Sequence, residues 1–223
     1  MFTTNYDLCF EVAARRSGFI VVDGFAFGSE TIFDSSQFSY DVVRRSGGEE
    51  KSDFIENLFH LHKLHGSVDW ELDPVSGRIS KRPGTKKPLL IYPRSSKYEM
   101  AFSQPYIEMM GTLQASLRTP NTTVVVIGFG FNDKHIAEPI LAAVKGSLSL
   151  NLVVINPDVE KATSPEGNIY LQALGSLIDN GDARLALIAA RFEDIVSQIP
   201  DVIAETEMEK HAMRIRNIGH PNG

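Results

Sequence analysis

The sequence has almost no cysteine and no long apolar run. Cys9 is the only cysteine among 223 residues, so an internal disulfide and a zinc site built from cysteines are both excluded. No apolar stretch approaches the ~20 residues that a membrane helix needs. Met1 is followed at once by polar residues and not by the basic and then apolar segments of a signal peptide. We therefore expect a protein of the reducing cytoplasm.

An excess of positive charge is also missing. The chain has 22 Lys and Arg against 28 Asp and Glu, a formal net charge of −6, which disfavours general binding to nucleic acids. Hydrophobic residues make up 43% and charged residues 22% of the chain, a balance typical of a folded globular protein. The length fits one large domain or one and a half ordinary ones.

Three short apolar runs dominate the C-terminal half. They cover 123–127, 152–155 and 185–188, and runs of this kind are typical of strands buried on both faces of a parallel sheet. Apolar residues recur at helical spacing between them, in 136–144 and 169–178. Strands alternating with helices predict an α/β fold with a Rossmann-like, doubly wound parallel sheet.

The region 18–110 is less regular and predicts a small inserted subdomain. It holds a hairpin of 68–72 with 78–81, a strand at 89–92, and the start of an amphipathic helix over 104–117. We assign 1–200 to one domain. The remaining residues, 201–223, are assigned to a C-terminal helix and tail.

The N-terminus resembles the end of an inner strand. Residues 1–4 predict a strand that ends at Thr4 and joins the parallel sheet of the C-terminal half, and the apolar spacing after it predicts a helix that opens at Asn5. A domain that starts in this way lacks something before it. We therefore expect the first strand of the fold, with its loop, to belong upstream of Met1.

Three loops should converge if the sheet is doubly wound: 4–7, 128–133 and 156–158. Each follows a predicted strand, and ligands of open α/β sheets bind outside the carboxyl ends of the strands. Gly128 and Gly130 allow the backbone to approach a ligand closely, and the helix that starts at Asn132-Asp133 would favour an anion. The alternative interpretation is a tight strand-to-helix turn with an Asn cap.

His65 lies in the stretch Leu64-His65-Gly66-Ser67. Histidine is the only side chain whose unperturbed pKa suits proton transfer near neutral pH, and a strand-end histidine beside glycine can face a cleft. Taken alone, such a histidine more often has a structural or surface role. His60 and His62 would share one face, but two histidines without a third ligand are poor evidence for zinc, so no metal is predicted.

Taken together and in this order, the motifs resemble the sirtuin superfamily. Thr4-Asn5-Tyr6-Asp7 is similar to the family's Gln-Asn-Ile-Asp, and Leu64-His65-Gly66 is similar to its catalytic His-Gly. Ile127-Gly128-Phe129-Gly130 and Ile155-Asn156 are similar to its Gly-Thr-Ser loop and its later Ile-Asn. The second loop also resembles that of divergent bacterial sirtuin-like domains of antiphage defence, which reads Gly-Phe/Tyr-Gly/Ser-Phe-Asn-Asp before His-Ile. The resemblance covers residues 2 to about 197.

The resemblance implies NAD as substrate and a role for each matched residue. Asn5 would place the water or acceptor, Asp7 would hold the nicotinamide carboxamide or its neighbouring loop, and His65 would be the general base. Cleavage at the ribose passes through an oxocarbenium-like state, which positioned polar groups stabilise without a metal. The residues implied to contact NAD are Thr4, Tyr6, Gly128, Phe129, Gly130, Asn132, Asp133 and Asn156; of these, Gly128, Phe129 and Gly130 would line the ribose and phosphates, and Asn156 the adenosine ribose.

The sequence departs from the family pattern in two ways. Sirtuin deacylases carry a four-cysteine zinc ribbon after the His-Gly, and this chain has none of those cysteines, which favours NAD hydrolysis over protein deacylation. The family's Gly-Ala-Gly phosphate loop is absent as well. Either the chain is a fragment of a longer protein, or it does not bind NAD properly by itself.

Three functions remain open on the sequence. The first is an NAD glycohydrolase of bacterial antiphage defence, silent until triggered and homo-oligomeric. The resemblance implies that it acts with a second protein, such as a ring-forming ATPase of the HerA class or an Argonaute-like partner. The second is a non-catalytic module or regulatory subunit that binds NAD or ADP-ribose, which the missing Gly-rich loop supports. The third is an NAD-dependent protein deacylase, which the missing cysteines oppose. A nuclease is disfavoured because no carboxylate–histidine metal cluster stands out.

Overall fold

The structure, a computed structural model, describes residues 1–45, 52–55, 57–91 and 104–199. These ranges contain strands and helices that alternate mainly in the C-terminal half. The strands are β1 (Phe2–Thr3), β2 (Ile20–Val22), β3 (Val43–Arg45), β4 (Ser52–Phe54), β5 (Leu58–His60), β6 (His62–Lys63), β7 (Trp70–Leu72), β8 (Ile79–Lys81), β9 (Thr123–Ile127), β10 (Asn151–Ile155) and β11 (Leu185–Ile188). The α helices are α1 (Cys9–Arg16), α2 (Tyr106–Arg118), α3 (Lys134–Gly146), α4 (Val159–Thr163), α5 (Ile169–Asp179) and α6 (Phe192–Ile195), with 3₁₀ turns at Ser35–Ser39 and Val196–Gln198.

The three predicted apolar strands form one parallel sheet in the order β11-β10-β9. Val125, Val153 and Ala186 lie side by side in the register, so each strand ends at the same edge. The C-terminal half is therefore mixed α/β with parallel strands, compatible with the Rossmann-like prediction.

One face of this sheet is covered by α2, α3 and α5. Leu113, Val144 and Leu174 from these helices are buried against Leu152 and Val154 of β10 in a single apolar cluster. Burial of such side chains contributes about 1.5–3 kcal/mol each, and this makes the cluster the main stabilising element. The opposite face is more open: the side chain of Val125 is 49% exposed.

The prediction that the strand ending at Thr4 joins this sheet is wrong for the described part of the chain. β1 pairs in parallel with β6, so that Phe2 lies opposite His62 and Thr3 opposite Lys63. Within the described ranges β9 is hydrogen-bonded to β10 alone. No ladder bonds join β1 to β9. The two sheets are bridged instead by side chains, His65 to Asp133 among them.

The first helix also begins later than predicted, at Cys9 and not at Asn5. The carboxylate of Asp7 accepts a hydrogen bond from the Cys9 amide at 2.9 Å, which ends the preceding loop and starts the helix. Residues 4–8 are consequently a loop that follows β1, and this loop is available to carry functional side chains.

The irregular region is built from short pairs. β2 and β5 pair in parallel, β3 and β4 pair antiparallel, and the predicted hairpin of β7 with β8 is confirmed. The strand predicted at 89–92 is only an isolated bridge between Leu90 and Gly66, and Tyr92 lies outside the described residues. The predicted tail helix at 201–223 lies outside them too. No helix in the described ranges is both long and apolar enough to cross a membrane.

Candidate functional site

The first loop of the candidate site follows β1. The Asn5 side chain is exposed, and its backbone amide donates to the Thr3 hydroxyl at 3.1 Å. Thr4 is half-buried beside it. Because Thr3 pairs with Lys63 in the parallel register, the next residues of both strands, Asn5 and His65 among them, emerge at the same edge. The backbone thus brings Asn5 and His65 to one place.

The other two residues of this loop are engaged by the protein itself. The Tyr6 hydroxyl donates to the carbonyl of Ile91 at 2.7 Å, and its ring centroid lies 6.3 Å from that of His65. Asp7 accepts a hydrogen bond from the Cys9 amide at the start of α1, and this bond is the main cause that lowers the pKa of Asp7 below its ordinary value. Tyr6 therefore flanks His65, whereas the Asp7 carboxylate is turned toward the helix.

His65 contacts the second loop directly. Its Nε2 lies 2.8 Å from Oδ2 of Asp133, and the His65 side chain is only 10% exposed. Asp133 is half-buried, and the hydrogen bond with His65 is the main cause that lowers its pKa. A carboxylate that accepts from one imidazole nitrogen fixes the ring's orientation. This contact joins the β1–β6 side of the molecule to the β9–β11 sheet.

Asp133 also starts α3. Its Oδ1 accepts a hydrogen bond from the His135 amide at 2.9 Å, so the cap is Asp133 and not the Asn132 that the alternative interpretation invoked. The negative charge favoured at a helix start is supplied here by the protein's own carboxylate. Asn132 is exposed beside it.

Gly128 leaves the backbone of the second loop open, whereas a Cβ added at Gly130 would lie 3.0 Å from Nδ2 of Asn132. Gly128 has φ +69°, a left-handed conformation suited to glycine, and a Cβ added there would meet no atom within 4 Å. Its amide donates to the Ile155 carbonyl at 2.9 Å. After Gly130 the chain turns sharply at Phe131, which has φ +55° and is fully buried. Phe131 thus anchors the loop in the core while Gly128 remains exposed.

The third loop supports the second. Asn156 Nδ2 donates to the Phe129 carbonyl at 3.4 Å, and its Oδ1 accepts from the Asp158 amide at 2.8 Å. Phe129 also packs against Phe131, with ring centroids 5.0 Å apart. The structure therefore places Asn156 against the 128–130 backbone.

Two polar residues with a direct hold on these loops were missed by the sequence reasoning. Asn168 caps α5 through Oδ1, and its Nδ2 donates to the Phe131 carbonyl at 2.9 Å and to the Gly130 carbonyl at 3.3 Å. Lys63 is buried beneath the first loop and donates to the Asp7 carbonyl. Asn168 had a signal, because it directly precedes an apolar helical pattern. The sequence around Lys63 gave no comparable signal.

Metal ligation has no support in the same ranges. Within residues 1–45, 52–55, 57–91 and 104–199, no group of three or more His, Cys, Asp or Glu side chains is arranged to hold an ion. His60 and His62 lie on adjacent short strands. The buried Nδ1 of His62 has no hydrogen-bond partner in the described part of the chain, and its ring is stacked between Phe2 and Phe38.

These features define a mixed α/β protein whose loops meet at the carboxyl ends of parallel strands, around a histidine–aspartate pair. A family model for the SIR2-like domain matches residues 1–178. The chain therefore belongs to the SIR2-like domain family, whose members are generally NAD-dependent enzymes. No curated protein matches the chain.

Proposed function

We propose that the chain is a sirtuin-like NAD glycohydrolase, which cleaves the bond between nicotinamide and the ribose and releases nicotinamide and ADP-ribose. The observation that supports this most is the 2.8 Å contact of His65 Nε2 with Asp133 Oδ2. It gives an oriented imidazole at the strand edge where the exposed Asn5 also emerges.

In this proposal His65 is the general base. With Asp133 accepting from the Nε2–H, the neutral ring leaves Nδ1 as its proton acceptor. The pKa of Asp133 is lowered chiefly by its hydrogen bond with His65, so the carboxylate stays ionised near neutral pH and stabilises the imidazolium that forms. The arrangement follows the base-and-orienting-carboxylate logic of hydrolytic triads.

Asn5 would position the attacking water. A carboxamide offers both donors and an acceptor, and the Asn5 side chain is exposed at the strand edge. The water oxygen bonds to the ribose C1′ as the C1′–N bond breaks, and the bonding pair leaves with nicotinamide, which becomes neutral. The proton of the water passes to His65 and then to solvent.

The second loop fits the phosphate and ribose side of the substrate. The exposed Gly128 has no side chain and open space around it, so a pyrophosphate could approach its backbone closely. The start of α3 is a poorer place for a phosphate because the Asp133 carboxylate already caps it. Asn156 and Asn132, beside this backbone, would contact the ribose.

Hydrolysis is favoured over deacylation by the cysteine content. The one cysteine, Cys9, is exposed on α1, so the chain cannot supply a four-cysteine ribbon. By its resemblance to antiphage sirtuin-like domains we place the activity in bacterial defence. There a homo-oligomer, with a HerA-class ATPase or an Argonaute-like partner, would deplete NAD on infection.

Nicotinamide release from NAD by the full-length protein tests the proposal. His65→Ala and Asn5→Ala should each lower the rate by ~10²–10⁴-fold, since both act on the reacting centre. The matched control is Asn180→Ala, an exposed residue after α5, which should leave the rate unchanged. In cells, His65→Ala should likewise abolish loss of NAD during infection. Tight NAD binding by a wild-type protein without turnover would favour the binding module instead.

A further inference from the structure

Lys63 is the least exposed charged residue of the site region. It is the last residue of β6, and only 1% of its surface is exposed. A buried ammonium group loses several kcal/mol of hydration, which must be offset by nearby oxygens. The position of those oxygens shows what the lysine holds.

The three N–H groups of Lys63 meet three acceptors from three segments. Nζ donates to the backbone carbonyl of Asp7, to Oε1 of Glu11 at 2.9 Å and to the hydroxyl of Ser67 at 2.9 Å. The Tyr6 carbonyl lies at 3.5 Å. The lysine therefore ties the first loop to α1 and to the segment that follows His65.

The hydrogen-bond network of Lys63 extends through Ser67 to a second carboxylate, that of Asp69. The fully buried Ser67 donates to Oδ1 of Asp69 at 2.5 Å. The Val68 amide donates to the Tyr6 carbonyl at 3.0 Å. Side chain and backbone thus both connect residues 67–69, which follow His65 in the chain, to the first loop.

A buried ion pair is weak evidence for stability, because apolar residues of similar volume often replace one at little or no cost. We propose that Lys63 is a positioning residue: held by Glu11 and Ser67, it fixes the backbone of residues 4–7 so that Asn5 stands in a set place relative to His65. The inference that Lys63 holds the loop is drawn from these contacts alone. The consequence for turnover rests also on the proposed NAD cleavage.

Amide hydrogen exchange of Lys63→Met tests the hold without any activity. Exchange at Asn5, Cys9 and Val68 should become at least about tenfold faster, because local opening then costs less. The β9–β10 ladder should keep its wild-type rates. The matched control is Lys81→Met, which removes a second ion pair, with Asp23, and should leave residues 4–9 unchanged.

Equal exchange in Lys63→Met and wild type would overturn the proposal, and so would an increase spread evenly over β9–β11. If Lys63→Met does not fold, Glu11→Gln and Ser67→Ala each remove one anchor and should show the same local increase. In the cleavage assay, Lys63→Met should lower kcat about 10–100-fold with KM within about threefold. A local exchange increase without wild-type NAD cleavage would keep the positioning role and reject the proposed function.

Discussion

The two parts of the molecule are held together in different ways. In the C-terminal part, strands of five, five and four residues form one parallel ladder, and three helices bury an apolar cluster on it. In the N-terminal part the described strands have two or three residues. That part also contributes apolar side chains to the cluster, and its loops are held by stacked rings and by ion pairs such as Lys63–Glu11 and Lys81–Asp23.

The regular C-terminal part supports the fold, whereas the irregular N-terminal part positions individual loops. Contacts in a regular ladder are many and similar, so losing one changes little about where the strand ends. In the N-terminal part a single side chain often fixes a whole loop, as Lys63 does. The candidate site lies between them, with His65 and Asn5 from the irregular part and Asp133 from the regular one. Changes on the two sides should therefore differ in their effects.

The largest effect is expected at Gly66, in the irregular part. Its φ is +89°, and an added Cβ would collide with the Leu89 carbonyl and lie 2.9 Å from the Tyr106 hydroxyl. Gly66→Ala should therefore lower the free energy of unfolding by at least about 3 kcal/mol, through backbone strain and overpacking together. Denaturant titration measures the change.

Gly77 is the matched control, because it has φ +69° but open space around it. Gly77→Ala should cost only about 1–2 kcal/mol, the backbone term alone. Similar losses at the two glycines would show that the irregular part is packed more loosely than the contacts of Gly66 indicate.

The sequence predicted the regular part well and the irregular part poorly. The runs at 123–127 and 152–155 predict their strands through an unbroken apolar pattern, although the burial on both faces expected from that pattern is wrong for β9, since Val125 is 49% exposed. Lys63 interrupts such a pattern. Its buried position depends on Glu11 and Ser67, and nothing in the local sequence shows that these meet. The pairing of β1 with β6 depends likewise on contacts distant in sequence.

The candidate site shows the same division. His65 and Asn5 were selected through a resemblance of short motifs, and their common edge follows from strand pairing. The contact of His65 with Asp133 was not predicted, because it joins two loops that follow strands of separate sheets. Asp133 was selected as a ligand contact, whereas the structure uses its two oxygens for His65 and for the start of α3.

His62, in the irregular part, gives a prediction about how the stability of the protein depends on pH. Burial is the main cause that lowers its pKa from 6.5 to about 3, so the folded protein keeps the ring neutral while the unfolded chain is protonated below pH 6.5. Its contribution to stability is complete above pH 6.5 and falls as the pH drops toward 3. At pH 5 the loss from this one group should be about 2 kcal/mol.

His62→Phe should remove that slope while keeping the stack on Phe2 and Phe38, whose ring centroids lie 4.7 and 4.0 Å from that of His62. Unfolding free energies at pH 7.5, 6 and 5 measure it. An unchanged slope in His62→Phe would mean that other groups cause the acid sensitivity.

The smallest effect on stability is expected at Asn168. This residue also gives the sharpest test of whether the regular and irregular parts hold their loops in different ways. Its Oδ1 caps α5, and its Nδ2 donates to the carbonyls of Phe131 and Gly130. Asn168→Ala removes both functions and should cost about 1–2 kcal/mol, the usual cost of losing an N-cap.

Asn168→Asp keeps an oxygen for the cap but loses the donor to the loop. It should restore most of the stability while hydrogen exchange across residues 129–132 stays fast. The regular part would then hold its loop as the irregular part does, through one side chain. If Asn168→Asp instead exchanges like the wild type, the loop is held by the buried Phe131, and the positioning of the second loop comes from the apolar core.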